Sequence, residues 1–246
     1  MGNIFAVLTG DLVESKRLSS DQLDQVRGNL RAAADEVKRW KRGLVQGTPE
    51  FFRGDAWQIL LTDPKLALRA AVFLRTSLLS GNLGDTRVVI GLGKVEKVNT
   101  KRISLSTGQA FTLSGRELDK LTQYFRMSIV LPEEAGALGD WLRIVGHLCD
   151  MLIGHWTNRQ AEIIRAALAL DDPTQAEVAE RLDPPVTKQA VTKALAGADW
   201  QGLRSAIKQF EKTDWTKICS QSTLETTNNG CLASDNQKRL SEASDG

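Results

Sequence analysis

Two Gly-Asp pairs, Gly10-Asp11 and Gly54-Asp55, are where this chain has the residue types and spacing for chemistry. The first follows the apolar run Ile4 to Leu8. The second, preceded by Arg53, separates Phe51-Phe52 from Trp57, Ile59, Leu60 and Leu61. Gly-Asp between β-prone runs signals a hairpin turn, because glycine accepts positive φ and aspartate bonds its own backbone. A tight turn alone accounts for the pair. Carboxylates at two neighbouring strand ends also form the hard-oxygen donor set of Mg²⁺ or Mn²⁺, which takes one or two carboxylates and leaves other positions to water and phosphate. Asp11 and Asp55 are thus candidate metal ligands, provided that their strands are neighbours.

The elements that must position them follow from periodicity. Ile4 to Leu8 reads as a buried strand that Gly10 to Ser15 leaves as a loop. Leu23, Val26, Leu30, Ala33, Val37 and Trp40 mark a helix from an N-cap at Ser20 to about Lys41. The Phe51 to Leu61 hairpin follows, then a helix from Asp63-Pro64 to Gly81 with proline in its first turn. Arg87 to Val95 is a strand in which Gly91 and Gly93 invite close approach by backbone or ligand. Lys94 to Arg102 is a polar connection, Gly108 opens another helix, and Phe125 to Leu131 is the last strand, closed by Pro132. This order predicts an α+β fold: a split βαβ, ferredoxin-like sheet with helices on one side.

After Pro132 the chain reads as helix only: Trp141 to Ile153, Asn158 to Leu170, Thr174 to Leu182, Lys188 to Leu195 and Gly202 to Phe210. Thr174 to Leu182 and Lys188 to Leu195, parted by Pro184-Pro185, have the spacing of a helix-turn-helix whose second helix enters the major groove. Lys188 and Lys193 are placed for phosphates, and Thr187, Gln189 and Thr192 for phosphates or base edges. A protein-binding helical bundle fits the same pattern. From about 218 the chain is Ser-, Thr-, Asn- and Gln-rich, too polar to offset the entropy of ordering, and is predicted to be disordered. The expected division is 1–132 sheet domain, 133–217 helical domain and 218–246 tail.

Composition narrows the classes. A net charge of +2 rules out a strongly basic footprint over the whole chain, so any nucleic-acid patch must be local. Three cysteines, Cys149, Cys219 and Cys231, lack metal-ligand spacing and form an odd set, which fits a reducing cytoplasm. No apolar run approaches roughly 18 residues and no leader opens the chain, so neither membrane spanning nor export is expected. His147 and His155 have no third ligand nearby. Trp156, Trp200 and Trp215 read as packing residues.

Thr9-Gly10-Asp11-Leu12-Val13 and Arg53-Gly54-Asp55-Ala56-Trp57, with the stretch Gly108 to Glu117, resemble the class III nucleotidyl cyclase homology domain. The resemblance implies that Asp11 and Asp55 hold the metal. It places Arg116 and Thr112 where the family's Gly-x-x-Val-Asn-x-Ala-Ala-Arg-Leu helix carries its phosphate-stabilising Arg and Asn. Arg116 matches; Thr112 replaces the Asn. The purine-reading lysine falls on Phe51, and the Arg-Ile-Gly-Ile-x-x-Gly strand is shortened to Val89-Ile90-Gly91-Leu92-Gly93. For Arg116 a solvated helix charge is the competing reading.

The order Gly10 to Ser15, Gly54-Asp55, Ser106 to Phe111, Trp156 to Gln160 and Thr174 to Trp200 is similar to the bacterial SatD family. That resemblance implies a cyclase-like domain fused to a helix-turn-helix. The reading reached is a cytoplasmic homodimeric DNA-binding regulator whose first domain senses a nucleotide or other phosphorylated ligand with Mg²⁺ or Mn²⁺. A metal-dependent nucleotide-processing enzyme and a degenerate cyclase-like dimerisation scaffold remain the alternatives.

Overall fold

A computed structural model describes residues 3–52 and 54–220. Arg53 and residues 221–246, which hold Cys231 and most of the expected tail, lie outside the described residues. The sheet contains β1 (Ile4–Leu12), β2 (Val45–Phe52), β3 (Ala56–Leu61), β4 (Thr86–Lys94) and β5 (Met127–Val130), in the order β2-β3-β1-β4-β5. Its first four strands pair antiparallel, and β5 adds parallel to β4. This is the split βαβ arrangement with one further strand.

Helices α1 (Ser20–Trp40) and α2 (Ala67–Ser80) cover one face, over Ala6, Leu8, Trp57, Ile59, Val88 and Ile90. α1 is capped by Ser19, one residue before the expected cap. The Ser19 side chain accepts from the Gln22 amide, and the Gln22 side chain accepts from the Ser19 amide. A single 3₁₀ turn, Pro64–Leu66, precedes α2.

Helix α3 (Gln109–Lys120) lies on the opposite face, which corrects the expectation of helices on one side only. The reason lies in β4. A Cβ on Gly91 would sit 2.6 Å from the Ala110 carbonyl oxygen and 2.9 Å from the Ser114 nitrogen, so the helix backbone rests directly on the strand. The approaching backbone anticipated at Gly91 is that of α3.

β1 runs on to Leu12 rather than ending before Gly10. Gly10 pairs with Trp57 and Val88, and Asp11 with Ala56 and Arg87. Gly10 serves no turn. A Cβ there would meet the Arg87 carbonyl oxygen at 2.3 Å and the Trp57 indole at 2.5 Å. Gly54, with φ +91°, is the true turn glycine, as its position between the apolar runs predicts.

The helical remainder comprises α4 (Ala137–Gly154), α5 (Asn158–Ala167), α6 (Gln175–Arg181), α7 (Lys188–Gly197), α8 (Trp200–Lys212) and α9 (Trp215–Ser220). α9 takes in the first residues of the segment expected to be disordered. Composition changes at Pro132, but one apolar core runs from the sheet through Cys149, Ile164, Val191, Leu203 and Trp215. Buried ion pairs cross the same boundary. Arg75 on α2 reaches Asp150 on α4 at 2.7 Å, and Arg69 reaches Glu211 on α8 at 2.6 Å. Trp156 and Trp215 donate their indole N–H groups to the carbonyls of Ala198 and Phe210, so both are packing residues. Among the described residues no helix is long and apolar enough to cross a membrane.

Candidate functional site

On the α3 face, period-two alternation points Thr9 and Asp11 of β1, Ala56 and Gln58 of β3, and Arg87 of β4 to one side. α3 covers only part of that side. The segment between β4 and α3 forms another wall, bridged at Lys97 and Thr107 and turning through a 3₁₀ helix at Ile103–Leu105. Glu50 of β2 clamps it, accepting from the Ser104 amide at 2.8 Å and from Arg102. Burial alone would raise the Glu50 carboxyl, but these donors outweigh it and hold it below its ordinary value. Gly47, at φ +70°, admits Ile103 to within 2.7 Å of where its Cβ would stand.

Between these walls lies a cleft of about 780 Å³. Asp11 and Asp55 both line it, with Asp119 of α3, Arg87, Arg102 and the hydroxyl residues Ser104, Ser106 and Thr112. Asp55 is set by local structure. Its carbonyl accepts from the Leu12 amide at 3.2 Å, its carboxylate accepts from the Ser15 hydroxyl, and the neighbouring Gly54 carbonyl accepts from Arg27 on α1. Beneath the opening, Gln58 donates to the Thr9 hydroxyl at 2.9 Å, and Thr9 lies 2.8 Å from the Ser114 hydroxyl.

Asp11 has a partner that its motif does not reveal. The guanidinium of Arg87 forks onto both of its oxygens, with Nε to Oδ1 at 2.7 Å, and also donates to the Leu121 carbonyl at 3.0 Å. Its hydrogen bond to Asp11, with the charges of Asp11, Asp55 and Asp119, holds the Arg87 guanidinium above its ordinary value. The pair is not sealed: the Asp11 and Arg87 side chains keep 20% and 31% of their surface exposed, and both line the open cleft. Two carboxylates and several hydroxyls are hard donors of the kind Mg²⁺ and Mn²⁺ take, so the donor chemistry fits. A cation at Asp11 would compete with the Arg87 guanidinium for the carboxylate. Among the described residues no group of three or more His, Cys, Asp or Glu is arranged to hold a metal.

Arg116 does not join this cleft. It is exposed and lines a separate depression with Glu96, Glu133 and Glu134, while Thr112 borders both openings. A one-residue step around α3 turns Gly115 toward the cleft and Arg116 away. The position aligned with a purine-reading lysine is likewise displaced. Phe51 faces α1, with Arg31 over its ring at 4.9 Å, and Phe52 is the cleft residue.

Arg87, Arg102, Ser104 and Asp119 are site residues that the motifs passed over. Alternation from Gly91 back to Arg87 marks Arg87 as sharing the α3 face. Nothing local marks Arg102 or Ser104, whose segment reads as a polar connection.

In the helical part, α7 buries Val191 and Leu195 and leaves Thr187, Lys188, Gln189, Thr192 and Lys193 exposed. Thr187 caps the helix by accepting from the Ala190 amide at 3.2 Å, and Thr192 donates to Gln175 of α6. His147 stacks on Phe125 at 3.9 Å between centroids, and burial lowers its pKa. Burial pushes the Cys149 thiol up to about 12 and the Cys219 thiol up to about 11, so neither is a nucleophile at neutral pH.

No family model matches the chain. No curated protein matches it either, so the resemblance to the SatD family rests on motif order alone. Among solved structures the chain is similar to the guanylyl cyclase Cya2, with 19% sequence identity and a TM-score of 0.36 over 53% of this chain and 77% of that one.

Proposed function

We propose that this chain is a ligand-responsive DNA-binding regulator whose cleft takes a phosphorylated, nucleotide-class ligand together with Mg²⁺ or Mn²⁺. The observation that carries the proposal is the Arg87 fork on Asp11 inside an open, polar cleft. An arginine held by a carboxylate is a phosphate receptor already in place, because the planar fork fits phosphate oxygens as well as it fits a carboxylate. When a phosphate takes Arg87, the freed Asp11 and its neighbour Asp55 supply the carboxylates for the cation. The cation would screen the phosphate charge against the three aspartates. Arg102, Ser104, Ser106 and Thr112 add donors around the ligand, and Phe52 and Phe111 give apolar surface for a base or another flat group.

The cleft is better built to bind than to react. Its described lining holds no His, Cys, Lys or Tyr, so proton transfer near neutral pH would fall to aspartates. The exposed face of α7 supports the DNA half. It offers Lys188, Gln189, Thr192 and Lys193, and α7 carries no acidic residue. Calorimetric titration with nucleoside di- and triphosphates in Mg²⁺ or Mn²⁺ should show binding that Arg87→Ala abolishes; no heat with any of them ends the ligand reading. Retardation of the chain's own upstream DNA at low salt tests the regulator reading, and its absence with and without ligand ends that one.

The enzyme reading keeps one observation in its favour, that Asp11 and Asp55 line the same cleft. Incubation with each nucleoside triphosphate and Mn²⁺ decides it. A product that disappears in both Asp11→Ala and Asp55→Ala would replace sensing with catalysis.

A further inference from the structure

The outward face of α4 carries an apolar seam that nothing in the described chain covers. Trp141, Ile144, Leu148 and Met151 are 64%, 46%, 54% and 55% exposed, whereas large apolar side chains elsewhere in the structure are mostly buried. With Ala137 and His155, both exposed, they recur at intervals of four, three, four, three and four residues. That is the 3.5-residue period of a coiled-coil seam. The helix is pressed to the sheet on its opposite side, where a Cβ on Gly146 would lie 3.0 Å from the Ile129 nitrogen. The seam therefore points straight away from the body of the protein.

We propose that α4 pairs with α4 of a second copy of this chain, antiparallel, about a two-fold axis at Gly146. The spacing is palindromic about that residue, which is what an isologous contact demands. Trp141 then meets Met151 of the second copy, Ile144 meets Leu148, and Ala137 meets His155. The outer layers set a larger against a smaller or more flexible side chain, and the central layer pairs two branched aliphatic side chains of equal size. A parallel pair would bring Asp140, whose side chain is 77% exposed, against Asp140 of the second copy, and the antiparallel pair keeps the two carboxylates at opposite ends of the contact. The four seam side chains expose on the order of 500 Å² per copy, so pairing removes about 1,000 Å² from water, the lower limit for a specific interface. The proposal does not depend on the cleft or its ligand.

Sedimentation velocity of the full chain from about 1 µM to about 100 µM should show the mass double as concentration rises. Trp141→Glu and Leu148→Glu, exposed positions whose change leaves the core intact, should each hold the chain monomeric over that range with an unchanged circular dichroism spectrum. Register is read by oxidising an equimolar mixture of Ile144→Cys and Leu148→Cys chains and locating the bridge by mass spectrometry. A 144–148 bridge is expected. A chain monomeric throughout, a dimer that both glutamate variants leave intact, or a bridge joining 144 to 144 overturns the proposal.

Discussion

Asp11 and Arg87 stand opposite each other in the β1–β4 register, and the guanidinium of Arg87 holds both oxygens of the Asp11 carboxylate while a third bond ties it to Leu121. The aspartate is thus oriented and neutralised without a metal, in a position where a phosphate could relieve it of its partner. Removing either residue has different consequences for a cation and for a phosphate, which makes the pair testable.

Arg87→Ala should separate the two. Without the guanidinium, Asp11 is free, and the affinity for Mn²⁺ alone should rise about tenfold, a modest fraction of what a charge-assisted fork contributes. Nucleotide binding should fall below detection in the same variant. Asp55→Asn should weaken both. Calorimetry with Mn²⁺ alone and with nucleotide plus Mn²⁺ reads these outcomes.

Gly10→Ala should destabilise the fold by about 3 kcal/mol, since the added methyl meets backbone at 2.3 Å and the Trp57 ring at 2.5 Å, neither of which yields cheaply. Gly28→Ala, in α1 with open space around it, should stabilise by up to about 1 kcal/mol. Urea unfolding midpoints compare the two.

The buried network around Arg75 predicts an acid limb to stability. Asp85 accepts from Arg75 at 2.7 and 3.0 Å and from Arg126 at 2.9 Å. Burial alone would raise its carboxyl, but Arg75 outweighs that and holds it below its ordinary value. A depressed carboxyl contributes stability that is fully present above its unfolded pKa of about 4 and is lost as pH falls through its folded value. Thermal unfolding followed downward from pH 6 should show this loss, and Asp85→Asn should flatten it. Arg75→Ala, leaving two buried carboxylates, should cost about 3 to 5 kcal/mol at neutral pH.

Lys188→Ala with Lys193→Ala should reduce the dependence of DNA affinity on salt. Each phosphate contact contributes about 0.9 to the slope of log K against log salt, so the double variant should lose about 2 from it. Retardation assays at several salt concentrations measure the slope, and an unchanged slope would remove α7 from the interface.

Much of the frame was legible in sequence because its signals are local. Apolar period, proline in the first turn before α2, positive φ at Gly54 and the small polar caps act within a few residues, and they located the strands and the helices through α8 to within a few positions, except β2, which begins at Val45, six residues before the expected hairpin. Aspartates 11 and 55 were legible as a pair for the same reason. What the tertiary structure alone decided is which atoms those residues meet. The partner of Asp11 is 76 residues away and is chosen by β1–β4 register; the second-face position of α3 is set by the missing side chain of Gly91; Arg116 is excluded by a step around a helix. The wall bearing Arg102 and Ser104 is held by a hydrogen bond from Ser104 to Glu50 across 54 residues. Short-range propensity constrains backbone conformation, whereas a site is a set of distances between remote residues, and those become fixed only when the sheet pairs and its faces are covered.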